Sequence, residues 1–363
     1  MFKTVTIITI ILALFVFAIA PPAQAATMSQ AIQDGADHVV SLQHLDGKWG
    51  WPGAPYDPNA PTYNNITGPL GLGLLSAYEE TADAAHLQAA EAAGDSLVGL
   101  TADWVGTYNP MFLLKLYDAT ADPNYQAQAD SFFTDLAAGT YTRQSVDHDT
   151  ASWITTVQGG RSGTWVNLRP WEFAPQAYAS AREGTAAQTA AFVQAIRDGI
   201  DTLDSSDPNT AYNDLLGLAG GVMGLASMGA DHDPTVGAFA SDDSLADLAA
   251  TLAANQNANG SWDWHSALAS PTTGDEDLQT TAYAVLALEE YDRVLYASAL
   301  AAGRQYLVST QLVDGGWPSY PPAGQEYAET DGEVIWALAS IPVPSAGAAG
   351  LALLGVIGVC RRR

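Results

Sequence analysis

A short repeat that occurs three times constrains the fold of this chain more than any other feature. The copies align without gaps as VVSLQHLDGKWGW from Val39, LAANQNANGSWDW from Leu252 and LVSTQLVDGGWPSY from Leu307. Each has an aliphatic residue, a Gln four positions later, then Gly, one further residue and Trp. Recurrence of this kind indicates a fold assembled from copies of one supersecondary unit. The structural repeat residues are Gln43, Trp49, Gln256, Trp262, Gln311 and Trp317.

Each copy has the pattern of a helix that ends in a tight turn. Apolar residues at three-to-four spacing precede the Gln, as in Ala302, Tyr306 and Leu307, which is typical of an amphipathic helix. The Gly that follows suits a helix stop, and a Gln at the helix end can hydrogen-bond backbone groups of the turn. We predict that the Trp then folds back as a large apolar cap.

The same rhythm of outer helix, loop and more apolar inner helix continues between these copies with weaker motifs. Alternating β-branched runs are nearly absent, so we expect little sheet. The longest connection, residues 139–170, has the length of a functional loop or lid. We predict six helical hairpins, with inner helices at residues 67–78, 108–117, 171–182, 212–228, 278–291 and 329–341.

The Gln–Trp repeat resembles the hallmark of the squalene-cyclase and prenyltransferase superfamily. The resemblance covers the region between the two chain ends and is strong in the first, fifth and sixth hairpins. It implies an all-α fold, an α/α toroid like that of terpenoid cyclases and protein prenyltransferases. Six inner helices would surround an axis, six outer helices would surround them, and the first hairpin would close against the last. The repeat is structural and specifies no activity.

Both ends of the chain have the composition of targeting segments. Residues 1–25 have the features of a secretory signal peptide, with Lys3 before an apolar run and Ala23-Gln24-Ala25 as cleavage site; an uncleaved anchor is the alternative. Residues 342–363 place a Pro-containing motif before an apolar stretch and three Arg residues. This order resembles the bacterial PEP-CTERM sorting signal without its Glu; a plain transmembrane anchor is the alternative.

These features divide the chain into a signal peptide (1–25), a single toroid domain (26–341) and a sorting signal or transmembrane segment (342–363). The resemblance of the tail implies an exported protein at the cell envelope, membrane-anchored or released after processing. The expected partners are therefore the export and sorting machinery, and the membrane through the C-terminal segment. Cys360 lies in this tail, where acylation is an alternative to an incidental role.

The charge balance excludes other partners. The chain has 13 Lys+Arg and 40 Asp+Glu, a formal charge of −27. Four of the bases and none of the acids lie in the two ends, so residues 26–341 hold 9 bases against 40 acids. Such a surface argues against nucleic-acid binding. The single Cys lies outside the toroid, which removes the prenyltransferase zinc site that the resemblance would imply, and we expect no cofactor.

The active-site motifs of the resembling families are incomplete. Triterpene cyclases protonate an isoprenoid with Asp-x-Asp-Asp-Thr-Ala, and the nearest segment here runs from Asp275 to Ala282. Aligned on Thr-Ala, the proton-donor position holds Gln279; a two-residue shift places Asp277 there but loses Thr-Ala. We therefore expect a non-catalytic binding or structural module for an unknown glycan or apolar ligand. A terpenoid-cyclase-like enzyme with Asp277 as acid is one alternative.

A glycan-acting hydrolase or lyase is the other alternative. Gly315-Gly316-Trp317-Pro318 is similar to a segment of some toroidal pectate lyases, and Arg143, Arg161 and Arg169 are candidate anion contacts. Carboxyl groups before two inner helices could act as general acid and base, or simply favour the helix dipole. The candidate catalytic residues are Asp275, Asp277, Glu326 and Glu329. The candidate binding residues are Trp51, Tyr63, Asn65, Arg169, Trp171, Trp264, His265 and Tyr320.

Overall fold

The computed structural model describes residues 27–51, 57, 59–101, 104–105, 108–206, 213–266, 275–321 and 324–340. These residues form thirteen α-helices, one 3₁₀ helix and one two-stranded sheet. The predicted signal peptide and sorting tail lie outside them. Among the helices of this part of the chain, none is both long enough and apolar enough for a membrane span.

Six inner helices form a closed ring. Each packs against the next in chain order, and the last packs against the first. The inner helices are buried on nearly every side, and every residue of the last one is buried. They are α2 (Thr67–Thr81), α4 (Asn109–Thr120), α7 (Arg169–Glu183), α9 (Asp214–Ser227), α11 (Leu278–Asp292) and α13 (Ala328–Ala339).

Six outer helices surround this ring, and each forms a hairpin with the inner helix that follows it. They are α1 (Met28–Ser41), α3 (Ala84–Asp95), α5 (Pro123–Ala138), α8 (Ala186–Asp201), α10 (Leu245–Ala254) and α12 (Ala297–Ser309). Helix α1 also packs against α12 and α13, so the first hairpin closes on the last. The predicted all-α toroid of six hairpins with little sheet is confirmed.

The three strong repeats make the same hydrogen bonds. Gln311 Nε2 donates to the carbonyl of Gly315 in its own turn and to that of Ala31 on α1, both at 2.9 Å. The amides of Gln43 and Gln256 link their own turns to α3 and α12 in the same way, at 2.9 to 3.0 Å. Each Gln therefore satisfies two carbonyl groups and ties one hairpin to its neighbour.

The repeat Trp residues fold back on the helices that precede them, as predicted. The indole N–H of Trp317 donates to the carbonyl of Leu307 at 2.8 Å. Trp49 and Trp262 donate to the carbonyls ten residues earlier at 2.9 and 2.7 Å. All three side chains are fully buried. The Trp thus covers the hydrogen-bonded turn with apolar surface while its own polar atom stays paired.

The repeat Gly residues are required by backbone geometry and by close packing. Gly47, Gly260 and Gly315 have φ of +81°, +97° and +100°, in the left-handed region that favours glycine. A Cβ on Gly315 would lie 2.4 Å from the carbonyl oxygen of Asp34 on α1. The turn can approach the neighbouring outer helix this closely only because the residue has no side chain.

In the middle hairpins two Gln residues at a different position of the hairpin, Gln128 and Gln188, make the equivalent link. Gln128 on α5 accepts from the backbone N–H of Gly99 and donates to the carbonyl of Leu100, both at 2.9 Å. Gln188 on α8 donates to the carbonyl of Phe133 on α5 at 2.8 Å. The amide here belongs to the following outer helix and not to the preceding one. A search for the Gln–Trp spacing therefore does not find it.

The long connection between α5 and α7 is largely helical, which the sequence pattern did not indicate. Its elements are the antiparallel strands β1 (Tyr141–Arg143) and β2 (Val146–His148), helix α6 (Thr150–Gly160) and a 3₁₀ helix (Gly163–Leu168). Asp149 and Ser152 form a capping box at the start of α6. Trp153 of α6 is buried against Tyr141 and Phe132, with ring centroids 5.2 and 5.6 Å away. The connection is thus anchored on α5.

Replacing Gln311 with Ala is expected to lower the free energy of unfolding by about 1–3 kcal/mol, because two carbonyl oxygens at the ring closure lose their donor. Urea unfolding followed by circular dichroism measures the change. Gln305→Ala, at an exposed position of α12, the helix that precedes Gln311, is the matched control and should cost less than about 0.5 kcal/mol. Equal losses in the two variants would contradict a special role of the Gln311 amide.

Candidate functional site

Four aromatic side chains fill the centre of the ring. Tyr108, Trp171, Tyr283 and Trp336 are buried and come from different hairpins. Their ring centroids lie 5.5 to 6.3 Å apart in tilted or edge-on contacts. On the side of Trp336 lies a mostly apolar recess of about 30 Å³, room for about two water molecules.

The other end of the ring opens into a polar groove of about 780 Å³. Its walls come from the loop before α2, from the β1–β2 hairpin with α6, and from the first turns of α7. Its charged lining residues are Lys48, Arg143, Arg161 and Glu172. Its aromatic and amide lining residues are Tyr63, Trp153, Asn64, Asn65, Gln144 and Gln176.

The charge of this groove is the reverse of the charge of the chain. Three cations and one carboxylate line it, whereas acids outnumber bases by 27 in the whole sequence. Arg161 Nε donates to Glu172 at 2.6 Å. Lys48 Nζ donates to Asn64 at 3.2 Å, and the Arg143 guanidinium lies over the Trp153 ring, 5.3 Å from its centroid.

Two buried carboxyl groups on α13, Glu333 and Glu329, lie near the ring centre, and Glu329 interacts electrostatically with Glu172. Glu333 accepts a hydrogen bond from the Tyr283 hydroxyl at 2.9 Å, and its two oxygens accept from Gln279 at 2.9 and 3.1 Å. Burial raises the pKa of Glu333 well above its usual range, and the charge of Glu329 adds to the rise. Glu333 is therefore a fully hydrogen-bonded carboxyl group beside the aromatic centre.

The second of these carboxyl groups, Glu329, has a pKa close to neutrality. Burial raises its pKa to about 8, with Arg161 opposing the rise and the charge of Glu172 adding to it. A carboxyl group with this pKa carries a proton at neutral pH and can give it up. Glu172 and Glu329 thus interact electrostatically near the groove end of the ring: Glu172 lines the groove and pairs with Arg161, whereas Glu329 is buried outside the groove lining.

The structure separates the predicted catalytic candidates. Glu329 lies near Glu172, and half-buried Asp275 lies in the turn before α11. Asp277 is the N-cap of α11: its carboxylate accepts from the backbone N–H of Thr280 at 2.8 Å and from the same residue's hydroxyl. Burial raises the pKa of Asp277. Glu326 pairs with a histidine where the first and last hairpins meet, so these four residues do not form one site.

The predicted binding residues also divide. Tyr63 and Asn65 line the groove, and Trp51 packs edge-on against Tyr63, with centroids 6.3 Å apart. Trp171 belongs to the aromatic centre. Arg169 Nε donates to the carbonyl of Arg161 at 3.1 Å and so supports the end of α6.

The remaining candidates lie outside the groove lining. Trp264 is half-buried, Tyr320 is exposed, and His265 is buried beside Asp214. Trp264 and His265 follow the repeat turn of the fifth hairpin, and Tyr320 follows the repeat turn of the sixth.

Sequence reasoning missed the role of Gln176. Its side-chain oxygen accepts the indole N–H of Trp153 at 2.7 Å, and this buried bond joins α6 to α7. Gln176 lies four residues after Glu172, so both face the groove from one side of the helix. That spacing was a usable signal. The partner Trp153 was not predictable, because it depends on how the long connection returns to the ring.

No family model matches this chain, and no curated protein matches it. Among solved structures, the fold is similar to the α-1,6-mannanase GH76A of Salegentibacter sp. HEL1_6, with TM-score 0.53, 12% identity and coverage of 86% of this chain and 98% of that chain. A protein from Actinoplanes matches with TM-score 0.53, 16% identity and coverage of 88% and 100%. A type II terpene cyclase from Scytonema has TM-score 0.48, 15% identity and coverage of 88% and 97%. The fold class is an α/α toroid.

Glu329→Gln is expected to reduce the loss of stability at rising pH. The pKa of Glu329 in the folded protein, about 8, exceeds its ordinary value of 4.5, so folding favours the protonated form. The stabilising contribution is complete below the ordinary pKa and is lost as the pH rises through 8. At about pH 9 the free energy of unfolding of the variant should therefore exceed that of the parent by about 2–4 kcal/mol. At about pH 4 the two proteins should be similarly stable.

Denaturant unfolding at several pH values measures this difference. Glu79→Gln, which replaces an exposed glutamate on α2, is the control and should keep the parent's pH profile. If Glu329→Gln also kept that profile, Glu329 would not be the buried titrating group.

Proposed function

We propose that this protein binds an acidic glycan in the groove at the open end of the toroid. The observation that carries the proposal is the concentration of Lys48, Arg143 and Arg161 in one groove of a chain with a formal charge of −27. A strongly acidic protein repels polyanions in general. A local cluster of cations makes an acidic ligand bind at one place and in one orientation.

The other lining residues support a glycan over other acidic ligands. Tyr63, which is 36% exposed, offers apolar ring surface against which the face of a sugar can pack. Asn64, Asn65 and Gln144 offer both donors and acceptors, as sugar hydroxyls require. Ligand sites of this size combine aromatic surface with a few placed polar groups in the same way.

The cations support an acidic sugar in particular. The Arg143 guanidinium lies over the Trp153 ring, and a guanidinium can bind a carboxylate through paired N–H donors. Lys48 is placed by its hydrogen bond to Asn64. Lys48 Nζ also lies 3.9 Å from the half-exposed Asp46 carboxylate, and Arg161 is engaged with Glu172. We assign the principal ligand contacts to Lys48 and Arg143, which line two walls of the groove.

The centre of the ring supports this ligand class over an isoprenoid. A terpenoid-cyclase-like site requires an acid in an apolar cavity, whereas aromatic side chains fill the centre here. Asp277, the candidate acid of that alternative, serves as the cap of α11.

Binding to defined oligosaccharides tests the proposal. Lys48→Gln and Tyr63→Ala are expected to weaken the binding of an oligogalacturonate about tenfold or more, because they remove a charged contact and a stacking surface. Isothermal titration calorimetry measures the dissociation constants. The matched control is Lys115→Gln, since Lys115 lies over the Tyr178 ring, outside the groove lining. A neutral manno-oligosaccharide should bind less tightly and respond little to Lys48→Gln. Failure of every acidic oligosaccharide to bind would overturn the proposal.

Cleavage of the bound glycan is a second candidate function, favoured by the Glu172 and Glu329 pair. A protonated Glu329 can act as general acid, and Glu172, which lines the groove and pairs with Arg161, can act as base or stabilise developing positive charge. Both Glu172→Gln and Glu329→Gln are then expected to lower product release from the bound oligosaccharide by about 100-fold or more. Reducing-end assays with chromatography measure the products. Binding without any product in the parent protein would leave a binding module.

A further inference from the structure

A second cluster of ionisable side chains lies where the ring closes. His38 is on the first outer helix, Asp314 is in the turn after α12, and Glu326 lies just before α13. His38 Nε2 is 2.8 Å from Glu326 Oε1. One ligand atom from each of the three residues lies within 4.8 Å of the other two. The cluster therefore joins the first hairpin to the last by three side chains from separate segments.

The cluster is mostly buried, but one of its residues is accessible to solvent. His38 and Glu326 are buried, whereas Asp314 is exposed and leaves an approach from solvent. A Cβ on Gly316 would lie 2.7 Å from the Glu326 carboxyl carbon and 2.9 Å from His38 Nε2. The absence of a side chain at Gly316 is what lets the imidazole and the carboxylate meet over this turn.

A buried carboxyl group next to Glu326 is incompletely paired. Asp331 is fully buried, and its Oδ1 accepts the backbone N–H of Trp317 at 2.7 Å. Its Oδ2 has no hydrogen-bond partner. Burial and the adjacent Glu326 charge raise the pKa of Asp331 well above its usual range. Two buried carboxyl groups side by side need a proton or a cation between them. Within the described ranges, His38 is the basic group that ion-pairs with Glu326.

The other comparable group in the described residues, Asp37, Asp83 and His86, is accounted for by ordinary contacts. Asp83 caps α3 through the backbone N–H of Ala85 at 2.9 Å. Asp37 accepts from Gln33 at 3.1 Å and from His86 at the same distance. The carboxylates of this second group act as a helix cap and as hydrogen-bond acceptors. Of the two groups, the one at the ring closure is the one that adjoins a buried carboxyl oxygen without a donor, Oδ2 of Asp331.

We propose that His38, Asp314 and Glu326 bind a divalent cation of the zinc class, which clasps the first hairpin to the last. One imidazole nitrogen with carboxylate oxygens suits zinc and its neighbours, whereas calcium and magnesium prefer sites made of oxygen alone. Asp331 places a second buried carboxyl group beside Glu326, and its Oδ2 has no hydrogen-bond donor, which favours a bound cation over an isolated imidazole–carboxylate pair. The ion would reinforce the same closure that the Gln311 amide makes.

Titration of the purified full chain with ZnCl₂ tests this site. We expect one zinc ion per chain by calorimetry and elemental analysis, and a thermal midpoint that rises with zinc and falls back with EDTA. Asp314→Asn, at an exposed position, keeps an oxygen that can accept the backbone N–H of Gly316 and should weaken zinc binding at least tenfold. Glu326→Gln should do the same.

His232→Gln is the matched control. His232 Nε2 lies 2.9 Å from Asp201, a histidine–carboxylate pair that belongs to neither cluster, so this variant should keep the parent's zinc affinity. CaCl₂ should bind more weakly than ZnCl₂. Absence of stoichiometric zinc binding, or affinity unchanged in Asp314→Asn, would overturn the proposal and leave a shared proton as the link between Glu326 and Asp331. Should Glu326→Gln fail to fold, Asp314→Asn decides.

Discussion

The side-chain amide of the repeat Gln is the interaction on which the ring depends. A turn pressed against a neighbouring helix leaves buried carbonyl groups that need donors, and an unmet carbonyl is costly. One Gln nitrogen supplies both donors, a left-handed Gly allows the close approach, and a buried Trp excludes water. In the third repeat, which lies in the sixth hairpin, the second carbonyl belongs to Ala31 on the first outer helix. A motif whose residues are local in sequence therefore closes the whole ring.

The position of the groove follows from this architecture. In a ring of repeated outer–inner hairpins, all inner helices begin at the same end, and the variable loops gather there. Glu172 and Glu329 both lie in the first turns of inner helices, where the positive end of the helix dipole favours negative charge. The long connection adds Arg143 and Arg161 from the opposite wall. Charges of both signs thus meet at one end, while aromatic side chains close the centre.

The sequence alone predicted the helical hairpins, but it did not predict many of the side-chain contacts that join them. Gln, Gly and Trp at fixed spacing predicted each strong turn, because all their contacts lie within one turn or one neighbouring helix. The link through Gln128 escaped detection because its partners, Gly99 and Leu100, precede it by almost thirty residues. Asp277 and Glu329 were equivalent as acids ahead of inner helices, and only packing makes one a cap and the other a protonated group. The predicted signal peptide and sorting tail stay predictions.

The buried acids show where this chain departs from what stability alone favours. Asp277 and Asp214 are satisfied locally, the first by Thr280 and the second by Ser266, and such contacts offset the desolvation of a carboxylate. Glu329 and Asp331 have fewer such contacts, and burial raises the pKa of both carboxyl groups. Buried ionisable groups with shifted pKa values concentrate where a protein handles protons, ions or ligands. They lie here at two places, the groove end of the axis and the closure of the ring, and these are the places to which we assign chemistry.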